Sequence, residues 1–428
     1  MKKSFVFVLA AFVCSANEMV AGDYLTNTNQ SVNFLRNPSR DAAIGIDGVY
    51  SNPAGVAFLD DGWHMQFNWQ IVHQDRDARV YNPAFMQNYG NPSVDGYRTF
   101  EGNVDVPIQP SLFLDYNKDK WSFQFGFGFI GGGGGCEFDN GVGMFENLVA
   151  SMTQGAPYAY DSYMKGTSYD LGFSLGAARK VTKNLSVFGG LRAIYGINSY
   201  VGHINNVRVK TQAGEMNTGK NYAIDCDQKA FGIAPILGVD WKINDHWNVA
   251  AKYEFKTRLR FDNTANNSAD FDALAQGNAQ FASFLDGAET PADLPSLLTV
   301  GVQYSPIKSL RVMGGYHHYF DVDTKQWTSD KVGDTNEFSF GAEYDISKLI
   351  EVSAGYQRSM FDQEEANVSD MSFTLNSWSF GVGVGVHLND MITLNAAYFQ
   401  TNYSDYAKAT TTYSRTNRVI GIGVDVNF

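Results

Sequence analysis

The chain has 428 residues, of which 42 are glycine, 14 % are aromatic and only 18 % are charged, and its net charge is -13. That length allows several soluble domains or one large barrel, and a glycine- and aromatic-rich, charge-poor composition suits β-sheet with tight turns and a lipid-facing surface. The acidity argues against nucleic-acid binding.

Lys2 and Lys3 precede an apolar run from Phe5 to Val13, and small residues follow at Ser15, Ala16, Ala21 and Gly22. A positive start, a short apolar middle and a small-residue cut site predict a secretory signal peptide over 1–21, with cleavage after Ala16 or Ala21. No later window of about 18 apolar residues exists, so no transmembrane helix is expected. The exported chain keeps Cys136 and Cys226, which make either one loop-to-loop bridge or two free thiols.

Residues 22–61 are rich in Asn, Asp, Gly and Pro, with short apolar islands and no long period-two run. They read as a compact plug of turns and short helices, centred on Gly48-Val49-Tyr50-Ser51-Asn52-Pro53-Ala54-Gly55. From 62 to 428 the pattern becomes that of a barrel. About fourteen strands are predicted, at 63–75, 107–117, 121–130, 167–181, 184–199, 229–243, 246–261, 295–305, 309–320, 336–346, 349–360, 374–388, 391–402 and 416–428.

Several alternate cleanly. Trp121, Phe123, Phe125, Phe127 and Phe129 share one face, against Ser122, Gln124, Gly126 and Gly128. At the end of the chain Ile420, Ile422, Val424, Val426 and Phe428 oppose Gly421, Gly423, Asp425 and Asn427. Short turns, such as 117–120 and 389–390, alternate with long polar connections near 76–106, 131–166, 200–228, 262–294, 321–335, 361–373 and 403–415. This is the layout of an all-β transmembrane antiparallel barrel in the outer membrane, short-turned on the periplasmic side and long-looped outside.

Three stretches resemble the FadL/TodX family of outer-membrane channels for hydrophobic compounds. Asp47 to Gly55 is similar to the Asn-Pro-Ala signature of that family's N-terminal hatch. Lys252 to Asp262 resembles its basic-acidic strand before a long outer loop, and Asp293 to Val302 the strand returning from that loop. The resemblance implies a fourteen-strand monomeric barrel plugged by a hatch. Its implied function is passive uptake of long-chain fatty acids or aromatic hydrocarbons, captured at the outer loops and released sideways into the membrane. The alternative is a non-transporting barrel, a scaffold or an adhesin.

Candidate site residues follow from what a greasy cargo needs. Each buried CH₂ favours an apolar site by about 0.8 kcal/mol, so a useful path is apolar and leaves through the wall. Gly126, Gly128 and Gly131, in and beside the run Gly131 to Gly135, make the third strand a candidate lateral-window strand; the same run also reads as a flexible entry to an outer loop. Lys256, Arg258 and Arg260 share the predicted inward face of strand seven, as a carboxylate anchor or as part of a lumen charge network with Glu254. Asn52, Pro53 and Ala54 read as a structural turn, and as a hatch gate by the resemblance.

Apolar residues at helical spacing in 131–166 and 262–294, among them Phe145, Val149, Phe271 and Phe281, either capture ligand or pack on each other. Asp321-Val322-Asp323 reads as a calcium site or as solvated loop. Scattered histidines and the lack of a nucleophile elbow or phosphate loop give no enzyme signal and call for no cofactor or metal.

Overall fold

A computed structural model describes residues 30–325, 332–362, 368–370 and 373–428. The expected signal peptide, and residues 22–29 of the expected plug, lie outside the described residues. One antiparallel sheet contains every strand. Its fourteen barrel staves are β1 Gly62–Tyr81, β2 Tyr97–Lys118, β3 Trp121–Phe138, β4 Tyr158–Lys180, β5 Leu185–Thr211, β6 Tyr222–Lys242, β7 Trp247–Glu254 continued by Arg260–Ala265, β8 Ser296–Ile307, β9 Leu310–Phe320, β10 Thr335–Asp345, β11 Ile350–Met360, β12 Ser377–His387, β13 Ile392–Tyr403 and β14 Thr411–Asn427. Each pairs with its neighbours in sequence, and β14 pairs with β1 from His64↔Asn427 to Val80↔Thr411, so no edge remains. The last residue is part of the closure: Trp63 N–H donates to the Phe428 carbonyl at 2.6 Å and Phe428 N–H donates back at 2.9 Å.

The alternation seen in the sequence sets inside and outside. Ile420 and Ile422 are 55 % and 58 % exposed, and Phe123 and Trp69 are exposed with them, while Ser122, Gln124, Asn68 and Ser379 are buried in the lumen. Exposed Trp63, Trp121, Trp241, Trp247, Tyr304, Tyr344 and Phe428 gather near the short turns as an interfacial girdle. At the other limit of the apolar belt, two residues beyond exposed Ile71, His73 and Asp105 face outward, 2.7 Å apart. An apolar belt between an aromatic ring and a charged rim is the exterior of an outer-membrane barrel.

Several strands run well past their predicted outer ends. Residues 76–81, 97–106, 131–138, 158–166, 200–211 and 222–228, expected in loops, belong to β1 to β6. Above the membrane neither face need be apolar, so period two fades although the hydrogen-bonded ladder continues. The expected continuous strand at 246–261 is instead interrupted: its ladder stops at Glu254 and resumes at Arg260.

Inside the barrel, residues 30–61 form two short helices, Val32–Arg36 and Gly48–Ser51, and a 3-10 turn at Gly55–Phe58. Ser31 caps the first, accepting from Phe34 N–H at 3.0 Å.

Candidate functional site

The N-terminal segment is seated by charge and by missing side chains. Arg36 donates to Ser353 Oγ at 2.9 Å and pairs with Glu351; Arg40 pairs with Asp47 at 2.7 Å and with Glu343. Arg311 completes the network with Glu343 at 3.1 Å, Asp345 at 2.8 Å and Glu351 at 2.5 Å. Helix Val32–Arg36 lies against the glycine rows of β12 and β14. A Cβ on Gly381 would overlap the Leu35 carbonyl, one on Gly385 would come within 2.7 Å of Arg36 Nη1, and one on Gly421 within 2.6 Å of Leu35 Cδ1. The lumen is therefore closed toward the short turns by paired, buried charges, which are costly to separate.

Asn52, Pro53 and Ala54 lie against the wall. Asn52 Nδ2 donates to Asp240 Oδ2 at 2.6 Å, Gln124 Nε2 donates to the Pro53 carbonyl at 2.7 Å, and Ala54 packs with Ala178, Phe188 and Ile236.

Pairing in the wall lapses between β6 and β7 at the 255–259 interruption, and over a longer stretch between β2 and β3 beside the N-terminal segment. β2 and β3 pair from Lys118↔Trp121 to Leu112↔Phe127, then not again until Val104↔Cys136. Residues 105–111 and 128–135 therefore face each other unpaired, while β3 stays paired to β4 with register shifts at Phe129/Gly131 and Gly132/Gly134. The causes are local. Pro107 and Pro110 on β2 have no N–H to give. β2 slips one residue against β1 between Gln70 and Val72, and Gly132 on β3 adopts φ +66°, a conformation that favours glycine.

The inner lining of this gap is apolar. Ile130 belongs to a cluster with Ile194, Leu259, Phe261, Leu297 and Tyr319; Val104 and Val106 belong to another with Phe34, Leu35, Val72 and Phe399. Gln30 bridges the gap: its Nε2 donates to the Phe129 carbonyl, and Ser111 Oγ donates to the Gln30 carbonyl. Of the glycines singled out in the sequence, Gly128 and Gly131 lie in the unpaired stretch. Gly126 lies below it, in register with Phe113 and Ser174.

The three basic residues do not converge. The interruption at 255–259 shifts the strand's face by one residue, so Lys252 and Glu254 point inward as expected but Thr257, Leu259 and Phe261 then take the lumen side. Arg258 is exposed, Arg260 pairs with Asp293 at 2.6 Å, and Lys256 Nζ donates to the Asp323 carbonyl at 2.7 Å. The expected common inward face of Lys256, Arg258 and Arg260 is thus corrected. The lumen network holds Lys252 instead, with Glu254 at 2.7 Å and the Tyr50 carbonyl at 2.8 Å, and Arg192 pairs with Glu254.

Over the outer end, Phe145 and Val149 of helix Gly143–Met152, Phe271 of helix Ala269–Gln276 and Phe281 belong to one apolar cluster with Phe85, Phe100, Tyr158 and Tyr200. Glu146, in the first turn of helix Gly143–Met152, is fully buried, with Asn88 Nδ2 donating at 2.8 Å and Arg98 paired at 2.8 Å. Burial pushes its carboxyl above the usual range, against the pull of Asn88 and Arg98. Cys136 and Cys226 are free thiols. Among the described residues Asp345, Glu351 and His387 come close enough to share a cation, but Arg311 already faces both carboxylates. At the candidate calcium loop, Asp321 is buried and accepts from Thr335 N–H at 3.1 Å.

Comparison with known proteins agrees with this architecture. A Gram-negative porin family model matches residues 170–364. Solved structures align over almost the whole chain. A Pseudomonas aeruginosa FadL homologue has a TM-score of 0.66 at 13 % identity, covering 95 % of this chain and 100 % of its own. The Pseudomonas putida toluene transporter TodX gives 0.62 at 14 %, covering 97 % and 100 %. The Ralstonia pickettii toluene transporter TbuX gives 0.57 at 16 %, covering 92 % and 98 %. No curated protein matches the chain. The FadL/TodX fold indicated by the sequence motifs is the fold of this protein.

Proposed function

We propose that this protein is a channel for passive uptake of hydrophobic small molecules, long-chain fatty acids or aromatic hydrocarbons, across the outer membrane. Cargo is collected at the apolar outer loops, moves past the Ile130 and Val104 clusters and leaves sideways between β2 and β3. The observation that carries this reading is the coincidence of unpaired wall with apolar lining. Straight passage would instead mean separating the Arg36, Arg40 and Arg311 ion pairs. The fold shared with toluene transporters supports the same class of cargo. A scaffold would need no such gap. Asn52-Pro53-Ala54 acts in this reading as the floor that turns cargo toward the wall, and the barrel works as a monomer surrounded by outer-membrane lipid.

A stitched wall tests the route. A Cβ on Gly134 would lie 2.7 Å from Val106 Cγ2 across the gap, so Val106→Cys with Gly134→Cys can bridge the two strands. In a Cys136→Ser background, the oxidised protein is expected to lose hydrocarbon uptake into lipid vesicles and to regain it on reduction. Equal uptake by the oxidised and reduced forms would reject lateral exit here.

A further inference from the structure

We propose that Asp170, with Asn198, selects cargo at the inner side of the wall gap, favouring hydrophobic molecules that carry an uncharged hydrogen-bond donor, such as phenols and other greasy alcohols. The proposal rests on the channel reading above and narrows its cargo class.

Asp170 lies on the inward face of β4 and is 5 % exposed. Its register partners are two glycines, Gly131 on β3 and Gly196 on β5. The first pairing falls at the register shift beside the gap. The second is packed against the greasy path: a Cβ on Gly196 would overlap the Phe261 ring and come within 3.0 Å of Asp170 Oδ1. The carboxyl therefore sits between bare backbone on both sides, at the edge of the apolar cluster that contains Ile130, Ile194, Leu259 and Phe261.

No described group donates to it or pairs with it. The contrast with other buried lumen carboxylates is sharp in kind: Glu254 has Arg192 and Lys252, Glu343 has Arg40 and Arg311, and Glu337 has His317 and Ser359. On the next strand Asn198 Oδ1 is also buried without a donor, its amide being given to Gln228 Oε1 at 3.2 Å. Asn198 is the register partner of Ser168, so it stands diagonally across from Asp170 on the same face.

Two buried acceptors that lack donors, at the margin of a greasy path, define what they would bind. A buried polar group is costly until it is hydrogen-bonded. A hydroxyl on an otherwise apolar cargo supplies the missing donor. A plain hydrocarbon leaves both acceptors unpaired, and a site built around a hydroxyl rejects the analogue that lacks it.

The test measures binding of 4-ethylphenol and ethylbenzene to the full-length protein in detergent. The native chain is expected to bind 4-ethylphenol on the order of tenfold more tightly than ethylbenzene, the scale of satisfying one buried hydrogen-bonding group. Asp170→Leu should erase the phenol preference while keeping or improving ethylbenzene binding. Asp170→Asn, which keeps the shape and a neutral acceptor, should reduce the preference several-fold and carries the test if the leucine variant does not fold. An unchanged phenol-to-ethylbenzene ratio in either folded variant, or no preference in the native chain while ethylbenzene still binds, overturns the role of Asp170 and leaves the hydrophobic channel standing. Failure of the native chain to bind either compound overturns both.

Discussion

Gly381 and Gly189 both sit in barrel strands, yet the physical demand on them is opposite. At Gly381 the backbone of the seated helix occupies the space a side chain would take, through the Leu35 carbonyl. At Gly189 nothing lies within 4 Å of a built Cβ. Gly381→Ala is therefore expected to unseat the N-terminal segment at a cost of about 1–3 kcal/mol, the usual range for overpacking. Gly189→Ala should be neutral or stabilising by up to about 1 kcal/mol, since alanine suits a strand better than glycine. Protease accessibility of residues 30–61, compared at equal barrel heat-resistance, checks both. The sequence exposed Gly421 and Gly423 as part of one small or polar face but not their purpose, because bare glycines look the same whether they face water or a packed helix. Asp170 gave no signal at all: an inward Asp is ordinary in a polar lumen, and its isolation depends on which strands flank it.

Strands were legible where the membrane enforces them. Wherever one face meets lipid, as at 121–129 or 420–428, period two is clean; outside the bilayer the constraint vanishes, and six outer extensions read as loop. The wall gap was half legible. The glycine run on β3 marks one side of it, and Pro107 and Pro110 mark the facing strand, but prolines distant in sequence carry no sign of which strand they oppose. The common inward face expected of Lys256, Arg258 and Arg260 is lost because the interruption at 255–259 shifts the strand's face by one residue, and no residue pattern there announces it. The outer loops form an element of their own with a testable pH response. Asp370 ties three of its parts together, accepting from Tyr413 Oη at 2.9 Å and from Met144 N–H at 2.6 Å. Burial raises its pKa above the usual aspartate range. A carboxyl whose folded-state pKa is raised favours the packed loop fully below its ordinary pKa, and that contribution is lost as pH rises through the raised value. Hydrogen exchange of 143–152 should therefore speed up as pH climbs through that window, after correction for intrinsic rates, and Asp370→Asn should flatten the dependence. An equally steep dependence in the variant would assign the effect to Glu146 instead.

At the scale of the molecule, the closed cylinder and the segment within it divide the work between insulation and direction. A barrel of fourteen strands without its filling leaves an aqueous lumen. Here the filling contributes Arg36 and Arg40, whose partners Glu351 and Glu343 belong to the wall. Removing residues 30–61 would thus open the lumen and strip these wall carboxylates of two cations, along with the segment's own Asp41 and Asp47, leaving Glu343, Glu351 and Asp345 with Arg311 as their remaining close partner and Asp425 nearby without Arg36. Such a pore should be open to small ions and selective for cations, because a ring of uncompensated carboxylates raises the local concentration of positive charge. In planar bilayers the intact protein is expected to show little ionic conductance, and the deleted one a steady conductance with a reversal potential shifted toward the cation potential in a salt gradient. Adding Glu343→Gln and Glu351→Gln to the deletion should remove most of that selectivity while keeping the conductance. If the deleted barrel stays closed to ions, the seal lies in the outer loops; if it conducts without cation preference, the wall carboxylates do not line the opened path.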